Sequence, residues 1–392
     1  MYYHGASFGG FCCSLFVKSR NQIPFVTLLA CFDKTLNFRI LSVLDNFQTL
    51  PSVCNVNWLL MQTSNLKSLK HFYYDEDVNF ILPQKLTKLA CTWYKCKSGC
   101  ADLKILPKTI TDLRIFCCGN MEINNFPPNL LKLRTDFYAD KVFMERLPQT
   151  LTYLKVQNLK YWLHMLPQHI THIDFDDLCD EDLSKITFPD LLFMKFTTED
   201  LENSDKLTLP TNLTHLKIVV GCTKILENIF YLRQLVYLKI KRVTAYYGSG
   251  YMDIVFPPNL TKLNSRGFQF DRKSLPKNLL DYDTNASIPT CEYGLLPRNL
   301  IRLTFKVCRD ASSEFFVQQF KKLPPNLTYL VLNEWHPNNT LLKVLPQSLV
   351  YLGASCFFKN EDFIESLPKS LTCLKTYNRN EYIDALKSKK FD

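Results

Sequence analysis

The stretch Leu82-Pro83-Gln84-Lys85-Leu86-Thr87-Lys88-Leu89 decides how the chain is read, because its pattern returns down to Leu367-Pro368-Lys369-Ser370-Leu371-Thr372-Cys373-Leu374. Thirteen copies carry a proline, at Pro83, Pro107, Pro127, Pro148, Pro167, Pro189, Pro210, Pro257, Pro276, Pro297, Pro324, Pro346 and Pro368. Most intervals are 19 to 24 residues, and the 47 residues from Pro210 to Pro257 hold a copy without proline, Leu232-Arg233-Gln234-Leu235-Val236-Tyr237-Leu238-Lys239-Ile240. A degenerate copy, Leu66-Lys67-Ser68-Leu69, precedes Pro83. A unit this short cannot bury its own apolar face, so the copies must stack as roughly fifteen turns of one array.

Each residue type in the phrase has a physical task. Proline lacks an N–H and fixes φ, which suits the punctuation before a strand. The apolar residues three, six and eight positions later, as in Leu213, Leu216 and Ile218, describe a bend followed by alternation, so the last two point inward from one short strand. The Thr slot also accepts Leu, Ile or Val, which suits a half-buried site whose hydroxyl is satisfied by backbone. The expected fold is a leucine-rich-repeat-like solenoid. It has a curved parallel β-sheet on the concave side, irregular turns and short helical pieces on the convex side, and a small helical N-terminal cap. Asp180 to Ile186 and Ser312 to Lys321 are the segments expected to make helical turns. The divisions are residues 1–32, an N-terminal segment of open fold; 33–73, a helical cap; 74–380, the solenoid; and 381–392, a tail.

Composition agrees with a soluble chain: 46% apolar and 21% charged residues supply a core and a wet surface. There are fifteen cysteines, an odd number with no Cys-x-x-Cys pair; many, such as Cys91 and Cys373, occupy slots where other copies have Leu, Ile or Tyr, so they read as small core hydrophobes of a reducing compartment. Cys91, Cys96, Cys100, Cys117 and Cys118 cluster, but their spacing fits no zinc pattern. Three of the five Asn-x-Ser/Thr sequons are simply the Asn-Leu-Thr of the phrase. The apolar runs Phe11 to Val17 and Phe25 to Phe32 are too short to span a bilayer. A cytoplasmic, monomeric protein is expected, with no cofactor and no metal.

The phrase Leu-Pro-x-x-Leu-Thr-x-Leu, with Asn or Ser before the second Leu (Asn212, Asn259, Asn326, Ser348, Ser370), resembles the FNIP repeat of social amoebae and of giant viruses that infect amoebae. The resemblance covers about residues 60 to 380; the Phe-Asn-x-Pro-Ile half of that repeat is largely absent. Upstream, Ile40, Leu41 and Leu44, then Leu50, Val53 and Trp58, resemble a degenerate F-box. That resemblance implies docking to a Skp-type adaptor of a cullin ubiquitin ligase, with the repeats as substrate receptor. A cap closing the solenoid is the alternative for the same residues.

Residues five, seven and nine places after the proline slot should face the concave surface. The candidate partner-binding set there is Lys132, Arg134, Tyr153, Lys155, Phe193, Lys195, His215, Lys217, Tyr237, Lys239, Lys241, Lys262 and Arg266. Exposed aromatics beside basic residues are the composition of a protein-binding hot spot. A net charge of +10 is modest for 392 residues, and Asp174, Asp176, Asp281 and Asp283 on the same face oppose a phosphate chain, so an acidic protein fits better than nucleic acid. No phosphate loop, His-Glu-x-x-His or Gly-x-Ser-x-Gly is present, His164, His169 and His172 merely straddle one phrase, and catalysis is not expected.

Overall fold

In the computed structural model of the chain, the described residues are three short N-terminal strands and most of residues 67–376, apart from stretches of the loops between repeats. They form two compact units, one running to Leu178 and including Ile186–Leu191, the other containing Leu192 onward together with Cys179–Lys185.

The first unit begins with an antiparallel pair, β1 (Cys12–Phe16) and β2 (Thr27–Cys31). Its main sheet then collects β3 (Thr49–Leu50), β4 (Ser68–Asp75), β5 (Lys88–Tyr94), β7 (Asp112–Cys117), β9 (Lys132–Thr135), β10 (Tyr153–Lys155) and β11 (His172–Asp174) in that spatial order. Two outer segments, β6 (Cys100–Asp102) and β8 (Glu122–Asn124), pair with each other as a separate parallel sheet. The helix α1 (Lys141–Glu145) starts at Asp140, whose carboxylate accepts from Phe143 N at 2.8 Å.

The second unit stacks β12 (Phe193–Thr198), β13 (His215–Val220), β14 (Tyr237–Arg242), β15 (Lys262–Arg266), β16 (Asp281–Ser287), β17 (Arg302–Lys306), β18 (Tyr329–Asn333), β19 (Tyr351–Ala354) and β20 (Cys373–Thr376) in chain order. Successive strands pair in parallel, one repeat apart. The returns are made by short 3₁₀ turns such as Ile229–Tyr231 and Thr290–Leu295 and by the helices α2 (Ser313–Phe320) and α3 (Asn339–Leu342). This is the expected leucine-rich-repeat type of solenoid. The helical segment expected from Ser312 to Lys321 is present as α2, whereas Asp180 to Ile186 lies outside the described residues.

The phrase works differently from simple punctuation. The carbonyl of the proline slot accepts from the N–H three residues on, at 3.0 Å in Pro83–Leu86 and 3.4 Å in Pro324–Leu327, so proline opens a β-turn and the strand starts five residues later. Pro83, Pro107, Pro167 and Pro276 are themselves buried, where an N–H would need a partner and proline has none to satisfy. Pro189 is shifted by one: the turn opens at Phe188, and Pro189 occupies the second turn position, which proline also favours.

Two polar ladders knit the turns together. The Thr-slot residue sends both its N–H and its hydroxyl to one carbonyl of the preceding repeat; for Thr171 the acceptor is Thr152 O, at 2.9 and 3.0 Å. Thr87, Thr214 and Thr261 repeat the arrangement, as the Thr/aliphatic interchange implied. A second ladder runs through the residue two after the proline. Thr109 Oγ1 reaches Gln84 O and Leu86 O at 2.8 and 2.7 Å, and Ser348 Oγ reaches Pro325 O and Leu327 O, both at 2.7 Å. In other copies Asn129, Asn259, Asn278 and Asn299 donate their amides to the same turn carbonyl one repeat back. This second ladder is why Asn, Ser and Thr recur before the turn leucine, and it ties the exposed Asn of the Asn259 sequon to the carbonyl of Arg233 one repeat back.

Inward residues fill a continuous core. Leu213, Leu216, Ile218 and Val220 of β13 and its turn are at most 1% exposed, and Leu235, Leu238 and Ile240 are fully buried one repeat later. Burial of each such side chain is worth about 1.5–3 kcal/mol. The residue eight after the proline slot is large in some repeats (Phe196, Phe305) and small in others (Ser265, Thr284, Ala354). Near Ser265 the outer segment brings Phe256, Phe268 and Phe270 into the core, with rings 5.1 Å apart for Phe256–Phe270 and 5.9 Å for Phe268–Phe270.

Where residues 33–73 were expected to be helical, the described ones are strands: Leu50 lies in β3, paired with Leu69 of β4. The degenerate copy thus leads into a strand of the sheet that starts at Ser68, and the β-favouring run Phe72-Tyr73-Tyr74 lengthens it. Ile40, Leu41, Leu44, Val53 and Trp58 lie outside the described residues. No helix among the described residues is long and apolar enough to cross a membrane.

Candidate basic and aromatic interface

Period-two alternation sends one set of strand side chains into the core and the other to the opposite, open face. Parallel register then lines the open-face residues into rows. In the second unit, one row reads Phe193, His215, Tyr237, Lys262, Asp281, Arg302, Tyr329, Tyr351 and Cys373. The next, two residues along each strand, begins Lys195, Lys217, Lys239, Asn264, Asp283 and Thr304. A third begins Thr197, Val219, Lys241 and Arg266. All nine sequence-predicted residues of this unit therefore fall on one face, and Lys195, Lys217 and Lys239 are direct neighbours across three strands.

The surroundings divide them. On β15 to β17, charges of opposite sign alternate: Lys262 Nζ lies 3.0 Å from Asp281 Oδ2, Arg302 reaches the same oxygen at 3.8 Å, and Arg266 lies 3.8 Å from Asp283. Asn264 donates its amide to Asp283. Burial pushes the Asp283 carboxyl above the usual carboxylate range, although Arg266 pulls the other way. Lys262 and Arg266 are thus engaged within the sheet. Arg302 caps a further stack, 3.9 Å over the Tyr329 ring, which lies 4.2 Å from Tyr351 at 9°.

On β12 to β14 the three rows contain no carboxylate. Lys217 instead sits between aromatic rings, 5.1 Å from the Phe193 centroid and 5.7 Å from that of Tyr237, and Lys262 approaches Tyr237 from the other side at 5.5 Å. His215 packs against Tyr237, with centroids 5.7 Å apart. Burial, then the Lys217 charge, pushes the His215 imidazole below its ordinary value, so it is neutral near pH 7. Burial pushes the Tyr237 phenol up, partly opposed by Lys262. Lys195, Lys217 and Lys239 are half-buried along their stems, while Lys241 is exposed.

The first unit has its own face. Arg134 makes a 2.7 Å bond to Asp112 and lies 4.8 Å over Tyr153; Lys155 pairs with Asp174 at 3.4 Å, and Tyr153 stacks on His172 at 5.9 Å. Lys132 is exposed beside Asp112 and Tyr153 in register. Of the residues named from sequence, Arg134, Lys155, Lys262 and Arg266 each pair with a neighbouring aspartate, and the three rows of β12 to β14 themselves supply like charge, a histidine, aromatic rings and small side chains. Aligning the positions five and seven after each proline slot carries that distinction. Reading basic residues alone does not. Of the clustered cysteines, Cys91 is a core residue whose thiol burial pushes up to about 12; Cys96 and Cys118 lie outside the described residues.

No protein-family model and no curated protein sequence matches the chain. The resemblance to FNIP repeats accordingly stands on the Leu-Pro phrase. Among solved structures the chain is similar to CroV588, a circular leucine-rich-repeat protein of the giant virus CroV, at 18% identity over 87% of this chain and 68% of that one, with a TM-score of 0.46. It is similar to YopM from Yersinia enterocolitica at 19% identity over 80% of this chain and 64% of that one, TM-score 0.40. It is also similar to an internalin from Listeria monocytogenes at 15% identity over 91% and 90% of the two chains, TM-score 0.39. Identities this low bear on fold alone.

Proposed function

We propose that the protein is a non-enzymatic interaction scaffold that takes an acidic protein partner on the open face of β12 to β14. The observation that carries this is the row Lys195, Lys217, Lys239, three like charges in direct cross-strand register. Like charges placed opposite one another in a sheet cost roughly 0.2–1 kcal/mol per pair. A second like-charge row, Arg114, Arg134 and Lys155, lies on the first unit, where Asp112 sits 2.7 Å from Arg134 and Asp174 3.4 Å from Lys155, and the sign alternates at Lys262/Asp281/Arg302. The row of β12 to β14 breaks this local rule beside aromatic rings rather than among carboxylates of its own strands, and a locally broken rule is what a functional surface shows. The half-buried rings of Phe193 and Tyr237 beside the row supply the apolar area that rim charges lack.

The test is a fluorescence-anisotropy titration of the full chain with labelled poly-glutamate and poly-lysine at low and high salt. Poly-glutamate should bind, weaken with salt, and weaken at least tenfold in the triple variant K195E/K217E/K239E. The same reversal at the off-row exposed residues Lys273, Lys277 and Lys321 should change binding less than threefold. Equal losses in the two triple variants would reduce the interaction to net charge and sink the proposal.

A further inference from the structure

We infer that the partner presents an acidic α-helix lying across the strands of β12 to β14, with carboxylates at i, i+4 and i+7 on the lysine row; this rests on the acidic-partner reading above. The spacing decides the ligand's conformation. Adjacent strands lie about 4.8 Å apart, so three in-register lysines span about 9.6 Å. Along a helix, residues i, i+4 and i+7 lie on one face and span about 10.5 Å at 1.5 Å per residue. An extended peptide along the row offers same-face side chains every 6.7 Å or so, about 13.4 Å for three, and falls out of step by roughly 4 Å at the third lysine. Lysine stems absorb a 1 Å mismatch more readily than 4 Å.

The flanking rows fix the rest of the ligand. Two residues along the strands to one side lie Phe193, His215 and Tyr237; to the other lie Thr197 and Val219, half-buried and small, with Lys241 at the end. The lysine row thus runs between an aromatic ridge and a low apolar shelf, which suits the width of a helix rather than a ribbon. Lys217 is already held at its two rings, 5.1 and 5.7 Å from their centroids, so its ammonium loses less freedom when a carboxylate arrives. An apolar stripe beside the acidic one would rest on Phe193 and Tyr237. His215, neutral at pH 7 beside Lys217, does not repel that stripe with a charge of its own.

The experiment compares two labelled peptides of equal length and charge on the full chain. One is side-chain-stapled into a helix with Glu at i, i+4 and i+7 and Leu on the adjoining stripe. The other carries its Glu at alternate positions and a proline that keeps it extended. The helical peptide should bind at least tenfold tighter, lose at least tenfold with Lys217→Glu, and lose several-fold with Tyr237→Ala. Lys217→Gln, which keeps the stem, should give an intermediate loss and guards against a folding defect in the reversal. Equal or tighter binding of the extended peptide overturns the helix inference while leaving the acidic-partner reading intact. Binding of neither peptide, with poly-glutamate also silent or with oligo-deoxythymidine bound instead, overturns both.

Discussion

Ser265 and Thr284 are neighbouring rungs of one core row, both fully buried, yet their hydroxyls have opposite circumstances. Ser265 Oγ has no hydrogen-bond partner among the described residues, whereas Thr284 Oγ1 donates to Ser265 O at 3.0 Å and accepts from Ala286 N at 3.1 Å. A buried hydroxyl left unsatisfied costs about 1–3 kcal/mol, and Ser265→Ala removes it. The lost oxygen gives up a handful of contacts worth 0.1–0.2 kcal/mol each, together roughly 0.5–1 kcal/mol. The variant should therefore gain about 1 kcal/mol. Thr284→Val keeps the shape and deletes two bonds worth roughly 0.5–1.5 kcal/mol apiece, so it should lose about 2 kcal/mol. The opposite signs, about 3 kcal/mol apart, exceed the error of urea melts compared at equal slope. Because a repeat array can open locally, hydrogen exchange of the β15 and β16 amides should report the same order. If Ser265→Ala loses stability, its hydroxyl has a partner and the reasoning about this row is wrong.

Gly353 is buried on β19, where an added Cβ would lie 3.0 Å from Val331 Cγ2 and 3.4 Å from Tyr351 Cε1. Gly353→Ala should cost about 1–3 kcal/mol by overpacking, and Val331→Ala in the same chain should return part of it in a double-mutant cycle. Cys91 is buried with its thiol pushed up to about 12, while Cys373 on β20 is exposed. A short iodoacetamide pulse at pH 8 read by mass spectrometry should therefore label Cys373 and spare Cys91 until the chain is unfolded; equal labelling contradicts the packing. Asp283 holds its proton more tightly folded than unfolded, so its contribution to stability is present at low pH and lost as pH rises through the raised folded value. Asp283→Asn should consequently gain on the wild type between pH 3 and pH 7 in urea midpoints, and a growing deficit over that range would show that the Arg266 pairing outweighs burial.

The fold was legible because every copy of the phrase repeats the same physics, so errors at one copy are corrected by the next. Turn, strand start and inward rows follow from proline, leucine spacing and alternation; the proline-free copy at Leu232 keeps all three, and a strand starts at Ser68 in the faint first copy. The polar ladder through Thr109, Asn259 and Ser348 was visible as a preference but not as a mechanism, since only stacking shows which carbonyl lies one turn back. The candidate face was half legible. Position after the proline slot tells which residues point outward, but what a lysine meets there depends on the adjacent strand, about twenty residues away in sequence. Lys262 and Lys217 look alike in the chain; Asp281 and two aromatic rings distinguish them. The strand at Leu50 was missed because a two-residue strand has no alternation to read.

The most direct test of the account is lysine footprinting of the full chain with an amine-acetylating reagent, with and without saturating poly-glutamate, quantified residue by residue. The account predicts that Lys195, Lys217 and Lys239 are protected together, with Lys273, Lys277 and Lys321 unchanged. Protection centred on Lys132 or Lys262, or spread evenly over all lysines, would contradict it.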